Sequence, residues 1–300
     1  MKKIVVVGGA GFIGSNLVDE LIKRGDKVIV IDDLSTGKKE NINPEAEFHK
    51  LDARDLEKIK PLFSGADSVF HLAAFSNVQF SIDNPAESND VNLNGTLNVL
   101  IAARDAGVGK VVYSASAAAY GNQEEELWHE EMRADLLSPY GLQKYVGELY
   151  CSLFSKLYGV QTVGLRYFNV YGKRQNLDGA YAPVVGIFVK KRLEGKPMTI
   201  FGDGEQTRDF ISVVDIVRAN ILAAESDKVG TGDIINIGSG KSYSVNELAK
   251  MVGGPIEKKP PRIEVKKSLA DNTLAKKLLG WKPTVDLAEW LEEHKKEVGL

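Results

Sequence analysis

A phenol and an ammonium group stand four residues apart in the run SPYGLQK at 138–144. Because four residues make about one turn of an α-helix, Tyr140 and Lys144 share one helix face. A neighbouring positive charge stabilises phenolate, so Tyr140 is expected to ionise below the pKa of about 10 of free tyrosine. Such a group can act as a general acid or base near neutral pH. The spacing also occurs by chance on helices, and a surface pair without chemistry is the alternative.

A second run of residues is suited to phosphate. GGAGFIG at 8–14 lies between a predicted strand at 4–7 and a predicted helix, where missing side chains let a pyrophosphate reach backbone N–H groups. Asp32 ends the next predicted strand, where a carboxylate binds an adenosine ribose and repels a 2′-phosphate. The residues therefore predict NAD rather than NADP, with Asp33 assisting or capping. A glycine-rich turn of purely structural use is the alternative.

Further polar side chains follow the later strands. Ser114 and Ser116 end a predicted strand and are expected to face the same crevice as Tyr140, where their hydroxyls could hydrogen-bond a reacting oxygen. His71 follows another predicted strand and is followed by small residues that leave room for a ligand. By itself, His71 is more typical of a packed core histidine.

Composition limits the function classes. The chain has 300 residues, is 43% hydrophobic and has a formal charge of −3, which argues against a nucleic-acid binder and favours a small-molecule partner. Cys151 is the only cysteine, and the four histidines lack metal-ligand spacing, so neither a disulfide nor a metal site is expected. The first residues contain no signal-peptide or membrane-span pattern, which predicts a cytoplasmic protein without membrane association.

The elements that must position these groups alternate along the chain. Buried-strand patterns are predicted at 4–7, 27–31, 46–51, 68–72, 110–114, 160–166 and 234–237, with helical patterns at 13–22, 56–63, 87–106 and 140–158. This alternation predicts an α/β fold with a doubly wound parallel sheet of the Rossmann type and a smaller irregular C-terminal substrate lobe. We assign 1–168 with 212–238 to the NAD-binding domain, and 169–211 with 239–300 to the substrate lobe.

Taken together, these motifs resemble the extended short-chain dehydrogenase/reductases, and within them the nucleotide-sugar 4-epimerases of the UDP-galactose 4-epimerase type. The resemblance covers essentially the whole chain. It rests on GGAGFIG at 8–14, IDDLSTG at 31–37, HLAA at 71–74, VNLNGT at 91–96, YSASAAAYG at 113–121, SPYGLQK at 138–144, RYFNVYGKRQ at 166–175, GDGEQTRDFISVVD at 202–215 and SLADNTLAKKLLGWKP at 268–283. Singly each is weak, whereas jointly they are specific.

The resemblance implies roles for individual residues. Ser116, Tyr140 and Lys144 match the family's catalytic triad. The implied NAD-binding residues are Gly8, Gly11, Phe12, Ile13, Gly14, Asp32, Asp33, Ser35, Thr36, Gly37, Asp52, Ala53, Leu72, Ala73, Ala74, Asn92, Ser114, Tyr140, Lys144 and Tyr167. The implied UDP-sugar-binding residues are Ser116, Tyr140, Asn169, Ala182, Phe201, Arg208, Arg262 and Ser268.

In the implied reaction, Tyr140 removes the proton of the sugar 4-OH while C4 gives a hydride to NAD, and the transient 4-keto sugar turns over and takes the hydride back. The nicotinamide charge then adds to that of Lys144 in favouring phenolate. Arg208 is a candidate clamp for the diphosphate. The alternative for Arg208 is a salt bridge with Asp209 or Asp215.

Two alanines and one serine narrow the expected reaction. Related dehydratases carry an Asp-Glu pair, and related UDP-xylose synthases a glutamate, where this chain has Ala117 and Ala118. Epimerisation is therefore favoured. Ser268 matches a position where a bulky tyrosine tends to exclude N-acetylhexosamines, so UDP-GlcNAc and UDP-GalNAc are expected substrates beside UDP-glucose and UDP-galactose.

Several alternatives remain open from the sequence. They are a UDP-glucuronate 4-epimerase, a nucleotide-sugar dehydratase and a non-catalytic regulator that senses NAD. A homodimer is also expected, because the family pairs through helices that match 88–106 and 140–158. The second of these has a broad apolar face, which burial within one chain would explain almost as well.

Overall fold

Strands and helices alternate along most of the chain. The computed structural model describes residues 1–175, 183–261 and 264–300. The strands are β1 (Lys3–Val7), β2 (Lys27–Ile31), β3 (Glu47–His49), β4 (Ser68–His71), β5 (Lys110–Ser116), β6 (Leu127–Trp128), β7 (Thr162–Tyr167), β8 (Asn169–Tyr171), β9 (Met198–Phe201), β10 (Thr207–Ser212), β11 (Thr231–Ile237), β12 (Ser242–Ser244), β13 (Ile256–Lys259) and β14 (Leu269–Ala270). The α-helices are α1 (Phe12–Lys23), α2 (Leu56–Ile59), α3 (Val78–Asp83), α4 (Pro85–Asn89), α5 (Gly95–Ala106), α6 (Pro139–Tyr158), α7 (Val184–Leu193), α8 (Val213–Glu225), α9 (Val245–Val252), α10 (Thr273–Leu279) and α11 (Leu287–Val298).

A parallel sheet lies at the centre of the molecule. In the described part of the chain it has seven strands in the order β3-β2-β1-β4-β5-β7-β11. Strand β1 pairs with β2 on one side and β4 on the other, so the strand order reverses beside β1. In such sheets a ligand crevice opens at the carboxyl ends of the strands where the order reverses. The predicted doubly wound α/β fold is confirmed.

Both faces of the sheet are covered, which explains the continuous apolar strands. Ile4 and Val6 of β1 pack into one buried cluster, while Val5 and Val7 pack into another on the opposite face. The first cluster includes residues of α1 and α8, and the second includes residues of α5 and α6. Side chains alternate between the faces of a strand, so only an uninterrupted apolar run satisfies both layers.

A smaller layered unit follows β7. Strands β12, β10 and β8 form one small sheet, β13 and β9 form another, and α7, α9 and α11 contribute to a separate buried cluster. The C-terminal segment also returns to the central sheet, because Ala275 and Trp281 lie in the cluster that contains α8. The division into the two lobes with their stated boundaries stays a prediction. No helix in residues 1–175, 183–261 and 264–300 is long and apolar enough to cross a membrane.

Several predicted elements have other bounds in the structure, and two of these differences lie beside the cleft. The helix expected at 87–106 is broken, because a π-helical segment at Asp90–Asn94 separates α4 from α5. That segment turns the Asn92 side chain toward Phe75, whose backbone N–H and carbonyl it bonds. Strand β5 also continues past the predicted Ser114 to Ser116, because Ala115 and Ser116 still pair with β7.

Helix α6 carries the Tyr140 and Lys144 pair. It begins after Ser138, whose Oγ accepts a hydrogen bond from the backbone N–H of Gly141 at 3.1 Å, and it ends at Gly159 in the left-handed conformation. Tyr140 and Lys144 lie on its buried face. The leucines of the opposite stripe are open to solvent in this chain, at 47% exposure for Leu142, Leu149 and Leu153 and 67% for Leu157. Burial within one chain therefore does not explain that stripe.

Candidate active site

The glycine-rich turn between β1 and α1 is open to a ligand because it has no side chains. Gly8 has a φ of +87°, and a Cβ there would lie 2.4 Å from the backbone N of Ala73. A Cβ on Gly14 would lie 2.1 Å from the carbonyl oxygen of Gly8. The turn before α1 therefore has no side chains over the helix N-terminus. This arrangement lets the diphosphate of a dinucleotide reach the backbone N–H groups. This turn fits NAD.

Asp32 sits at the carboxyl end of β2 and is held by the backbone. Its Oδ2 accepts from the N–H of Ala10 at 2.9 Å, and its Oδ1 accepts from the N–H of Leu34 at 2.8 Å. Burial raises the pKa of Asp32, and these two hydrogen bonds oppose the shift. Each oxygen keeps acceptor capacity for a ribose hydroxyl. A Cβ on Gly37 would lie 2.6 Å from Asp32 Oδ1, so the missing side chain of Gly37 leaves room for the carboxylate.

One cleft gathers most of the predicted cofactor residues. It has a cavity volume of about 200 Å³ and runs along the carboxyl ends of the central strands. The predicted residues that line it are Gly8, Gly11, Phe12, Ile13, Gly14, Asp32, Asp33, Ser35, Thr36, Asp52, Ala53, Leu72, Ala73, Ala74, Ser114, Tyr140, Lys144 and Tyr167. Gly37 and Asn92 are not among its lining residues.

Asn92 is buried, and its side chain is used within the protein. Its amide accepts from the N–H of Phe75 at 2.8 Å and donates to the carbonyl of Phe75 at 3.1 Å. It also donates to Oε1 of Gln143 on α6 at 2.7 Å. Asn92 therefore fixes the loop after β4 against α6, and its contact with the cofactor stays a prediction.

Sequence reasoning missed several lining residues. They are Val7, Ile31, Leu51, Phe75, Ser76, Val91 and Ala115. Most are apolar residues at or next to strand ends, where no chemical group marks them. Phe75 and Ser76 directly follow the HLAA run at 71–74, so extending that motif by two residues would have found them.

The phenol and the ammonium meet at this cleft. Lys144 Nζ lies 6.0 Å from the centre of the Tyr140 ring and donates to the carbonyl oxygen of Ser114 at 2.7 Å and to its Oγ at 3.3 Å. The backbone N–H of Tyr140 donates to Ser81 Oγ at 3.1 Å, which fixes the first turn of α6. Ser116 lies at the end of β5, where its Oγ accepts from the N–H of Ala118.

The ionisation of this pair differs from the expectation. Burial raises the pKa of Tyr140 to about 12, and a hydrogen bond with Ser116 opposes the shift. Burial lowers the pKa of Lys144 to about 8, while the charge of Glu148 opposes that shift. A depressed Tyr140 pKa is therefore wrong for the protein by itself, because desolvation exceeds the attraction of an ammonium that is hydrogen-bonded to Ser114. Forming phenolate at pH 7 costs about 7 kcal/mol from these values.

Of the predicted substrate residues that the structure describes, Asn169, Phe201, Arg208 and Ser268 do not line this cleft. Asn169 Nδ2 donates to the carbonyl oxygen of Asp209 at 2.9 Å, and Phe201 ends β9. The hydroxyl of Ser268 is buried and has no hydrogen-bond partner among the described residues. Ala182 and Arg262 lie outside the described residues.

Arg208 forms an ion pair with a residue that the sequence did not suggest. Its Nη2 lies 2.8 Å from Oε2 of Glu264. Asp209 instead accepts from Ser239, Gly240 and Ala270, and Asp215 accepts from Arg218, Thr284 and Val285. The alternative that paired Arg208 with one of these aspartates is wrong. Among the described side chains, no group of three or more His, Cys, Asp or Glu is placed to hold a metal ion.

The sheet order, the bare turn and the held carboxylate of Asp32 define a dinucleotide-binding protein of the Rossmann class. Residues 4–238 match the NAD dependent epimerase/dehydratase family. The chain belongs to this family, and NAD is its cofactor. The family, the class of enzyme and the cofactor expected from the sequence are confirmed.

Relatives of known name cover nearly the whole chain. It is 40% identical over 306 residues to a UDP-glucose 4-epimerase of Mycolicibacterium smegmatis, covering 96% of this chain and 95% of that one. A UDP-glucose 4-epimerase of Thermotoga maritima, solved with UDP-glucose, has a TM-score of 0.93, 42% identity and 99% coverage of both chains. A UDP-N-acetylglucosamine 4-epimerase of Methanobrevibacter ruminantium, solved with UDP-N-acetylmuramic acid, has a TM-score of 0.92, 38% identity and coverage of 99% and 97%.

Proposed function

We propose that this chain inverts C4 of UDP-hexoses, interconverting UDP-glucose and UDP-galactose. The observation that carries the proposal is that Tyr140 and Lys144 line the NAD cleft and that Ser116 hydrogen-bonds Tyr140. The relatives named as UDP-sugar 4-epimerases support the same conclusion. The turn at 8–14 and Asp32 would hold NAD, which would supply a hydride acceptor and donor for C4 of the sugar.

Proton transfer, orientation of the sugar and stabilisation of phenolate fall to three side chains. Tyr140 accepts the proton of the sugar 4-OH and gives it back after the sugar has turned over, so one phenol serves both half-reactions. Ser116 hydrogen-bonds Tyr140 and orients the reacting oxygen. Lys144 has a pKa of about 8 and is mostly protonated at pH 7, so its charge favours phenolate. The positive nicotinamide supplies a second charge that offsets the desolvation of Tyr140.

Two methyl side chains support epimerisation over elimination. Ala117 and Ala118 follow Ser116 at the end of β5 and carry no proton-transfer group. An elimination across C5 and C6 of the sugar needs both an acid and a base, which these positions do not provide.

Product analysis tests the reaction. We expect purified protein to convert UDP-glucose to UDP-galactose and UDP-glucuronate to no product, and Tyr140→Phe to lose at least about a thousandfold in kcat while NAD affinity stays unchanged. Retained turnover in Tyr140→Phe would show that another group moves the proton. Conversion of UDP-glucuronate alone would replace the proposed substrate.

We also propose that UDP-GlcNAc and UDP-GalNAc are substrates. The buried hydroxyl of Ser268 lacks a hydrogen-bond partner among the described residues, and a serine leaves room for an acetamido group. Ser268→Tyr should abolish turnover of UDP-GlcNAc and preserve that of UDP-glucose, whereas Ser268→Ala should preserve both. Equal losses on the two substrates in Ser268→Tyr would refute this assignment.

A homodimer formed through α6 completes the proposal. The stripe of Leu142, Leu149, Leu153 and Leu157 exposes apolar surface along this helix. A second copy of the chain would cover that stripe, as the hydrophobic effect favours. Leu149→Glu with Leu153→Glu should convert a dimer to a monomer in analytical ultracentrifugation, and Leu193→Glu on α7, which is 45% exposed, is the matched control.

A further inference from the structure

A buried ion pair lies one helical turn beyond the candidate catalytic lysine. Glu148 Oε1 accepts from Arg166 Nε at 2.8 Å, and Glu148 Oε2 accepts from Arg166 Nη2 at 2.7 Å. The two side chains are 3% and 5% exposed. This bidentate geometry holds the carboxylate in one orientation between α6 and β7.

Glu148 lies on the same face of α6 as the candidate catalytic groups, one turn further along the helix. Tyr140, Lys144 and Glu148 stand four residues apart on the buried face of α6. Arg166 also lies on a strand that reaches the cleft, because the next residue, Tyr167, lines it. The guanidinium of Arg166 stacks on the Tyr120 ring with its Cζ 4.4 Å from the ring centre, which limits its movement.

The charges along this face of α6 are unusual for a protein interior. Lys144 is 4% exposed, and its ammonium donates to Ser114 rather than to a carboxylate. Burial alone would drive it toward the neutral form, and the negative charge of Glu148 opposes that effect. Burial also raises the pKa of Glu148, while the hydrogen bonds and charge of Arg166 lower it. The bidentate contact with Arg166 thus favours the ionised form of Glu148, and the charge of Glu148 in turn favours the charged form of Lys144.

We propose that Glu148, held by Arg166 one helical turn from Lys144, is a positioning residue whose negative charge favours the protonated form of Lys144 beside Tyr140. This inference rests on the proposed function and deepens it, because the reaction needs a positive charge beside the phenol. Glu148 lies outside the lining of the NAD cleft and acts through Lys144.

Other titratable groups surround the pair and enter any pH profile. The charge of Glu148 contributes to raising the pKa of Tyr113 on β5 and of Cys151 on α6. His71 on β4 feels the charge of Lys144. Burial keeps Tyr113, Cys151 and His71 neutral near pH 7, so Glu148 and Arg166 are the charges nearest Lys144 in this layer.

A purely structural role is the competing explanation, and a double variant separates the two. Replacing a whole buried ion pair with apolar side chains often preserves stability, whereas removing one partner leaves an unpaired charge. Glu148→Leu with Arg166→Met should therefore recover much of the Tm that Glu148→Gln loses. If the pair only stabilises the fold, the double variant should also recover the wild-type pH profile.

The experiment measures the pH dependence of kcat for UDP-glucose in wild type, Glu148→Gln and the double variant. We expect the alkaline limb to move to lower pH by about one unit in Glu148→Gln, because Lys144 loses its proton more readily without Glu148. The shift should be smaller in the double variant, because the opposing charge of Arg166 is lost as well. Asp215→Asn removes a buried carboxylate remote from Lys144 and should lower Tm without moving the limb. An unmoved limb in Glu148→Gln, or a wild-type limb in the double variant, overturns the proposal.

A second readout separates this inference from the proposed reaction. The rise in Tm at saturating NAD, measured from pH 6 to 10, reports on the charge of Lys144 without any turnover. If the wild-type protein inverts no UDP-hexose, the proposed function is refuted. In that case, a shift of the NAD-induced rise in Tm to lower pH in Glu148→Gln would still support the positioning role. Wild-type turnover with no shift in either readout would refute the positioning role alone.

Discussion

Adding one methyl group to Gly14 tests the diphosphate turn directly. A Cβ on Gly14 would lie 2.1 Å from the carbonyl oxygen of Gly8 and 2.9 Å from its carbonyl carbon, so the turn must move by about 1 Å to accept alanine. Alanine in place of glycine stabilises a helix interior by about 1 kcal/mol, whereas forcing a side chain into filled space costs about 1–3 kcal/mol. The net change in the free energy of unfolding should therefore be a loss of at most about 2 kcal/mol.

Cofactor affinity should change more than stability. The Gly8 carbonyl accepts from the N–H of Gly11 at 3.3 Å, so displacing it opens the turn that presents backbone N–H groups to the diphosphate. Losing one or two hydrogen bonds to a charged group costs about 1.5–3 kcal/mol each, so the Kd for NAD should rise at least about tenfold and up to about ten-thousandfold. Isothermal titration calorimetry measures the Kd, and thermal unfolding of the same samples measures stability.

Gly25→Ala is the matched control. Gly25 follows the end of α1 with a φ of +85°, and a Cβ there would meet nothing within 4 Å. This variant should lose about 1–2 kcal/mol of stability from the left-handed backbone and bind NAD as the wild type does. Wild-type affinity in Gly14→Ala, or an equal loss of affinity in Gly25→Ala, would refute the assignment of the turn.

Three further variants probe the cleft and its support. Asp32→Ser removes the carboxylate that repels a 2′-phosphate, so the ratio of NADP to NAD affinity in calorimetry should rise at least about tenfold; an unchanged ratio would place cofactor discrimination elsewhere. Burial lowers the pKa of His71 to about 3. Protonation of the unfolded chain therefore destabilises the fold as pH falls below about 6.5, by about 3 kcal/mol at pH 4.5. The variant His71→Gln should flatten this slope in urea unfolding between pH 7 and 4.5. An equal slope would exclude His71 as its source. Asn92→Ala leaves the half-buried N–H and carbonyl of Phe75 without their partner and should lower the free energy of unfolding by about 1 kcal/mol. Wild-type stability would mean that water replaces the amide.

Local sequence patterns predicted the strands and helices well where neighbouring residues alone determine the secondary structure. The strand at Lys27–Ile31 has the predicted bounds, and the helix after the glycine turn has the predicted apolar face. The break at Asp90–Asn94 was not predicted, because it depends on the bonds of Asn92 to Phe75, which is distant in sequence. The periodicity of apolar residues depends on neighbours within one helix or strand and does not reveal partners elsewhere in the chain.

The sequence by itself determined the family, the cofactor and the groups that carry protons, because motif spacing and strand ends specify which side chains a parallel sheet collects at one edge. Only the tertiary structure decided their ionisation and their partners. The spacing of Tyr140 and Lys144 suggested a depressed phenol pKa, yet burial raises it to about 12. Desolvation depends on every layer packed around a group, and so does the link from Lys144 through Glu148 to Arg166 on another strand.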